Sequence, residues 1–406
     1  MRVYVAACGL GLGHISRSTP IVEELLSRGV EVVVSTYLDG LDYAKARGFK
    51  VVETVPIGFR VKNDGTVDFK QTAARSGLSI GLRRFLKQVT AEIRNIKRFR
   101  PDIVFSDSRA SSIVAARLLG IPVILMLNQF RIEVVRRPSS GNLSLMDRLF
   151  FLITNIFWNF VRTLIAGVWA QSELILIPDF PYPYTISLGN LAIPRRYKGR
   201  VRFVGPVVHK SPRDLPSKDV IVKELSLSED KPKVYAAVSG PRVERRYLGD
   251  TLCKIFQSMP QEYEFILSRG NPRGDTKPTR NSNVLTYEWL DDEAQFKILK
   301  AADIVIGRSG HGIIMKALTF GKPLILIPTP DHTEQYGNAR RAVQLGVAIM
   351  LDQSGLNKEN LSRSIVGILS SLEFKTRAEG LSSVWPRHSS VGVATDSILS
   401  LAETNR

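Results

Sequence analysis

Residues 304–323 read Ile304-Val-Ile-Gly-Arg-Ser-Gly-His-Gly-Ile-Ile-Met-Lys-Ala-Leu-Thr-Phe-Gly-Lys-Pro323. A short apolar run reads as a strand over 304–306, a turn of small residues follows Gly307, and a helix opens near His311. The first N–H groups of a helix lack intrahelical partners and carry the positive end of its dipole. Residues 309–312 therefore predict an anion seat at the carboxyl end of a strand. A diphosphate held in this way needs no metal, and the chain carries no Asp-x-Asp pair to hold one. The expectation is a site with no metal and no cofactor.

The same alternation runs through the rest of the C-terminal half. Strands are predicted over 234–238, 265–267, 284–286, 304–306 and 324–327, with helices beginning near Glu244, Asp292, His311 and Glu334. The N-terminal half repeats it, with strands at 3–7, 31–35, 51–52, 102–105, 122–127, 174–177 and 202–204. Helices are predicted there at 16–27, 80–99 and 110–119. Short apolar runs alternating with amphipathic stretches mark βαβ units, whose parallel strands are covered on both faces. Residues 207–232 between the two series are rich in proline and charge, as an interdomain linker is. A chain of 406 residues suits two such cores. The fold class is α/β, as two domains in series.

Composition narrows the setting. The apolar share of 44% reads as globular. Cys8 and Cys253 fall in different halves and make neither a disulfide framework nor a metal-ligand spacing. Met1-Arg-Val-Tyr-Val5 runs straight toward a glycine loop, so no secretory leader is expected. Residues 1–210 hold 30 Lys+Arg against 15 Asp+Glu, a balance of +15; the remaining 196 hold 26 against 23, or +3. A basic bias confined to one half points to an anionic partner there. The chain has no aromatic strand platform and no low-complexity Lys/Arg arm, so nucleic acid is not the expected one.

Two further motifs carry chemistry. Gly9-Leu-Gly-Leu-Gly13-His14 joins the first strand to the first helix, at the rim where open α/β sheets bind ligands. A dinucleotide fingerprint would place glycine where this loop has His14. A histidine there can act as a general base near neutral pH, or can simply bond to backbone at the helix start. Asp107 ends the fourth strand on the same rim. It can orient His14 by accepting from one ring nitrogen, or serve as an N-cap for the helix beginning at Ala110. In the second half, Asp331-His-Thr-Glu-Gln-Tyr-Gly-Asn338 follows a strand and offers hydrogen-bonding side chains suited to sugar hydroxyls.

Together, the glycine loop ending in His14, the Arg308-Ser-Gly-His-Gly312…Gly321-Lys-Pro323 segment and His332-Thr-Glu-Gln335…Asn338 resemble the GT-B glycosyltransferases. The likeness is greatest to the MurG-type branch, which includes the two-subunit dolichol-pathway GlcNAc transferases and their single-chain archaeal relatives. It spans nearly the whole chain and is most specific in the C-terminal half. The resemblance implies two Rossmann-like domains facing a central cleft, residues 1–206 for the acceptor and 207–387 for the donor. A C-terminal helix at about 388–406 would cross back onto the first domain. It implies that Gly13 and His14 lie in the catalytic loop with Asp107 nearby, and that Ser239 and Gly240 line the donor cleft. Trp289 and Leu290 would hold uracil through backbone groups, and Arg308, Ser309, Gly310, His311 and Gly312 would surround the diphosphate. Glu334, Gln335 and Asn338 would reach the donor sugar.

Two positions depart from the family. Lys316 stands where a glutamate usually grips the ribose diol, and an ammonium can donate to hydroxyls but not accept from them. Met126-Leu-Asn-Gln129 replaces a His-Glu-Gln-Asn run, which removes a carboxylate and places the catalytic burden on His14.

Residues 143–169 are rich in aromatic and aliphatic side chains, Phe150, Phe151, Phe157, Trp158, Phe160 and Trp169 among them. Asn155, Asn159 and Arg162 interrupt this run, which disfavours a span. Arg131, Arg136, Arg137 and Arg148 flank it, and Arg83, Arg84, Lys87, Arg94, Lys97 and Arg98 lie on the preceding long helix. A basic and aromatic pair of helices reads as a face lying on an anionic membrane surface, with a buried core helix as the alternative. The expected activity is inverting, metal-independent transfer of a sugar, GlcNAc first, from a UDP-sugar donor to a polyprenyl-diphosphate-linked saccharide. The place is the cytoplasmic face of the cell membrane. Transfer to a membrane glycerolipid and non-hydrolysing UDP-GlcNAc 2-epimerisation are the competing activities.

Overall fold

The computed structural model describes residues 1–9, 11–57, 78–130, 146, 152–153, 163–385 and 390–404. Two seven-stranded sheets carry the fold. The first contains β1 (Arg2–Ala7), β2 (Glu31–Thr36), β3 (Val51–Glu53), β4 (Ile103–Asp107), β5 (Val123–Met126), β6 (Leu174–Ile177) and β7 (Val201–Phe203), in the order 3-2-1-4-5-6-7. All its neighbours are parallel. Its strands are near-continuous apolar runs because both faces are covered. Val3, Val5 and Phe105 pack into one layer with the Gly13–Ser27 helix, whereas Tyr4, Ala6 and Val104 pack into the other with the Leu78–Phe99 helix.

The second sheet contains β8 (Lys233–Ala237), β9 (Glu264–Ser268), β10 (Thr279–Asn281), β11 (Val284–Tyr287), β12 (Ile304–Gly307), β13 (Leu324–Leu326) and β14 (Ala348–Met350), in the order 10-11-9-8-12-13-14. It is parallel except where β10 runs antiparallel to β11. β10, which the apolar pattern does not predict, is an exposed Thr-Arg-Asn edge.

In each sheet the strand order reverses once, between β1 and β4 and between β8 and β12. A crevice at the carboxyl ends of such a pair is where open α/β sheets bind ligands. The chain thus forms two switch points, one in each sheet.

The 207–232 stretch, read from its composition as an interdomain linker, packs as part of the second sheet's layers. It contains the Lys218–Glu224 helix, and Leu215, Ile221, Val222 and Leu227 are buried in the same core as Tyr235 and Phe296. The charges that give this stretch its character lie on the outside of that layer. Phe180 and Ile186, in the loop after β6, enter the same core. The Ser390–Thr404 helix does the reverse. Val391, Ala394, Ile398 and Ala402 join the first sheet's core, where Arg202 donates to Ser397 Oγ at 3.0 Å.

Candidate active site

β1 ends at Ala7, level with Asp107 at the end of β4, which is level with Met126 at the end of β5. The chain leaves β1 through Gly9, where a Cβ would lie 1.7 Å from the Tyr37 carbonyl oxygen, so no other residue fits. The Gly13–Ser27 helix then begins with no side-chain cap and no acid in its first turn. It brings His14 Nδ1 to 2.8 Å from Asp107 Oδ1.

Asp107 is fully buried and is not a helix cap; the Ala110–Leu118 helix is entered through Arg109 without one. It accepts instead from Arg17 on both oxygens and from Ser18 Oγ at 3.0 Å. Burial alone would raise its carboxyl, but Arg17 and His14 outweigh that and hold it well below the usual carboxylate range. An ionised carboxylate beside Nδ1 keeps the proton on that nitrogen and leaves the Nε2 lone pair unused. The His14 side chain remains 27% exposed.

Arg17 and Asn128 belong to this cluster and were not singled out from sequence. Arg17 lies three residues after His14, which puts both on one helix face. Asn128 sits in the Met126–Gln129 run that lacks the family's carboxylate.

On the opposing sheet, β8 and β12 end side by side at Ala237 and Gly307. Gly240 follows β8 with φ +110°, and a Cβ on Gly11 would lie 3.7 Å from its Cα, so the glycine loop and the 239–240 turn abut. The His311–Thr319 helix begins after Gly310 with no side-chain cap. Beside this start, Ser309 Oγ is buried without a hydrogen-bond partner. Uncapped N–H groups and an orphaned hydroxyl together suit an oxyanion. The helix also touches the Gly13–Ser27 helix, which brings the two switch points face to face.

Several side chains expected to reach the donor are committed elsewhere. Arg308 is buried; it donates to the Ile327 and Pro328 carbonyls and to Gln353 Oε1, and its Nε lies 3.1 Å from Glu244 Oε1. Its charge therefore braces the turn from inside the domain. The His311 ring faces Asp179, with Nε2 3.2 Å from Oδ2, so residue 311 offers an anion its backbone only. Asn338 is buried between Ser309 O and Asn190 Nδ2, and Gln335 Oε1 accepts from Thr329 N. The Trp289 backbone N–H donates to Asp275 O and its ring packs edge-on against Tyr43, while the Leu290 side chain is buried in the core and only its backbone can meet a base. Lys316 is half-buried, donates to Gln295 and lies over the Phe296 ring, so its ammonium is not open to a ribose. Ser239, Gly240, Ser309, Gly310, Gly312, the Leu290 backbone and Glu334, one of whose oxygens accepts from Asn128, remain as the donor-side groups.

The Asp39–Ala46 helix and the residue after it close one end of the cleft. Asp39 pairs with Arg245 at 2.8 Å, Asp42 pairs with Arg273 at 2.8 Å, and Tyr43 and Arg47 both donate to Asp292. Trp169, expected on a membrane face, is buried edge-on to Phe130. Phe150, Phe151, Phe157, Trp158, Phe160 and the flanking arginines 131, 136, 137 and 148 lie outside the described residues.

Two α/β sheets with opposed switch points, a basic-histidine rim on one and an uncapped helix start on the other, form the architecture of the GT-B glycosyltransferases. Residues 252–383 match the model of the glycosyltransferase family 28 C-terminal domain, and residues 1–151 match that of glycosyl transferase family 1. Both matches are to glycosyltransferase families, and the C-terminal one covers the helix start at His311. The chain is 27% identical to an uncharacterized glycosyltransferase of Methanosarcina acetivorans, over 87% of this chain and 86% of that one. It is 22% identical to the UDP-N-acetylglucosamine--N-acetylmuramyl-(pentapeptide) pyrophosphoryl-undecaprenol N-acetylglucosamine transferase of Shouchella clausii, over 90% of each. The crystal structure of the glycosyltransferase SnogD from Streptomyces nogalater has the same fold, with a TM-score of 0.65 at 18% identity over 99% of each chain.

Proposed function

We propose that this protein transfers N-acetylglucosamine from UDP-GlcNAc to a polyprenyl-diphosphate-linked saccharide, with inversion at the anomeric carbon. The observation that carries this reading is the juxtaposition across the cleft of the His14–Asp107 pair and the uncapped start of the His311–Thr319 helix. His14 Nε2 takes the proton of the acceptor hydroxyl as its oxygen attacks the anomeric carbon. The bond from that carbon to the diphosphate breaks on the opposite face, and UDP departs with the electron pair. Asp107 holds the ring and stabilises the imidazolium; the 309–312 backbone stabilises the diphosphate charge. Glu334, at the start of the Thr333–Gln344 helix, receives the sugar hydroxyls. The choice of donor and of lipid-linked acceptor is supported by the bacterial relative's name alone. Incubating membranes and purified protein with labelled UDP-GlcNAc, UDP-Glc and UDP-GalNAc, then mass-analysing extracted lipids, tests it. A hexosamine added only from UDP-GlcNAc is expected; label entering lipid from another donor alone contradicts the choice.

The leaving group is held by backbone and dipole rather than by a divalent cation. Activity is therefore expected to persist in excess EDTA. Loss of activity that Mg²⁺ or Mn²⁺ restores would contradict this account of the diphosphate seat.

Such an acceptor requires the first domain to meet a membrane from the cytoplasmic side. Among the described residues no helix is long and apolar enough to cross one. The Leu78–Phe99 helix buries Phe85, Val89, Glu92, Ile96 and Phe99 inward. It leaves Leu82, Leu86, Arg83, Arg84, Lys87, Arg94, Lys97 and Arg98 exposed. Leu164 is exposed beside Ile165 and Val168, which pack on the same layer; Leu152 and Ile153 are exposed as well. Each Lys or Arg near an anionic surface contributes about 1 kcal/mol, so six suffice for reversible peripheral docking. The protein is expected to co-sediment with anionic but not neutral vesicles at low salt. Much of it should release in 1 M salt, where the Debye length is about 3 Å. Equal partitioning onto both vesicle types would contradict the basic-face account.

A further inference from the structure

One continuous polar chain crosses the cleft beside His14. Arg17, on the first domain, donates from Nε to Asp107 Oδ2 at 2.8 Å, from NH2 to Oδ1, and from NH1 to Asn128 Oδ1 at 3.3 Å. Asn128 Nδ2 then donates to Glu334 Oε1, on the second domain, at 2.9 Å. Arg17 and Asn128 are 7% and 3% exposed, so water hardly screens the chain. Arg17 NH2 also lies 3.0 Å from His14 Nδ1, the nitrogen that faces Asp107.

Asp107 and Arg17 thus compete for one nitrogen. Nδ1 can donate to the carboxylate or accept from the guanidinium, but it cannot do both. Arg17 resolves the competition by gripping both carboxylate oxygens. Its Nε and NH2 hold the two oxygens of Asp107 while NH1 holds Asn128, and Asp107 stays ionised with Oδ1 turned to the ring. The Nδ1–H tautomer follows, with Nε2 as the acceptor. The other titratable groups near Arg17 are Glu334 and the Cys8 thiol, both more weakly coupled to it than Asp107.

We propose that Arg17 is a positioning residue that selects the His14 tautomer through Asp107 and, through Asn128, ties that pair to Glu334 on the donor-binding helix. The base is then in register only when the two domains are closed on one another. This inference rests on His14 acting as the base.

The test reads the ring without turnover. The chain has five histidines, so protein labelled with ¹⁵N in the histidine rings gives few long-range ¹⁵N–¹H patterns, and His14→Gln assigns the one of interest. In neutral rings of the wild type the His14 pattern is expected to be that of the Nδ1–H tautomer. In Arg17→Gln, where nothing holds the Asp107 carboxylate against the ring, it is expected to shift toward a mixture of the two tautomers. Arg17→Lys keeps a cationic donor beside Asp107, so its pattern is expected to lie closer to wild type. This variant also covers the case in which the glutamine variant fails to fold. An Nε2–H pattern in the wild type, or an unmoved pattern in folded Arg17→Gln, would overturn the assignment.

Asn128→Ala separates the bridge from the charge. The His14 tautomer pattern is expected to hold, while the KM for UDP-GlcNAc, read by UDP release, rises severalfold. An unchanged KM would remove the bridge. Near-normal turnover in His14→Ala would instead sink the base reading and leave the ring tautomer standing, so the two failures read differently.

Discussion

Turnover of His14→Ala falls by about 10²–10⁴, the usual worth of a positioned general base, while UDP affinity measured by calorimetry hardly changes. The two parts of this result follow from the separation of the site. His14 belongs to the Gly13–Ser27 helix of the first sheet, whereas the orphaned Ser309 hydroxyl and the uncapped His311–Thr319 helix belong to the second. A kcat that drops with an intact donor affinity is the signature of a group acting on the acceptor side. Near-normal turnover would mean that another group takes the proton.

The second large effect is expected at Asp107. Asp107→Ala leaves Arg17 as a buried guanidinium stripped of its carboxylate, a change that costs about 3–5 kcal/mol when one member of a buried pair is removed. Asp107→Asn keeps the shape and loses the charge. Its amide can present a donor to Nδ1 and so favour the wrong tautomer, and turnover is expected to fall by roughly 10²–10⁴ with a smaller loss of stability. The acid dependence gives the sign. The folded carboxyl lies well below its unfolded value of about 4, so it contributes stability above that value and loses it as pH falls through the folded one. Wild-type protein should therefore lose stability below about pH 4 by an amount that Asp107→Asn lacks. Identical acid unfolding curves for the two would show that Asp107 is not ionised in the folded chain.

Much of the architecture is legible in the chain because parallel strands covered on both faces leave continuous apolar runs. β1, β4, β8 and β12 all appear as such, and the loops that follow β1 and β12 carry the chemistry. The 207–232 stretch misleads because proline and charge dominate its composition, while only four spaced apolar residues, Leu215, Ile221, Val222 and Leu227, decide its burial. Trp169 misleads in the opposite direction: an aromatic residue next to arginines suits a membrane surface as well as it suits the core that encloses it.

At the site, the glycine loop and Asp107 are readable because strand ends share a rim. Arg308 and Asn338 are readable as neighbours of the donor turn, but no pattern in the sequence says that their polar atoms face inward. Arg17 had a signal in its three-residue spacing from His14, masked by the many basic residues of the same domain. Asn128 had none, because its role depends on Glu334, 206 residues away across the cleft.

The central claim is inverting transfer by a base on one domain and a departing diphosphate on the other. It is tested most directly by the anomeric configuration of the product. Purified protein is incubated with ¹³C-labelled UDP-GlcNAc, first alone and then with a prenyl-diphosphate-linked saccharide, and followed by NMR. The account expects a β-linked N-acetylglucosamine on the lipid, one UDP released per sugar transferred, and no epimer from donor alone. An α-linked product, or UDP-N-acetylmannosamine formed from the donor in the absence of lipid, would contradict it.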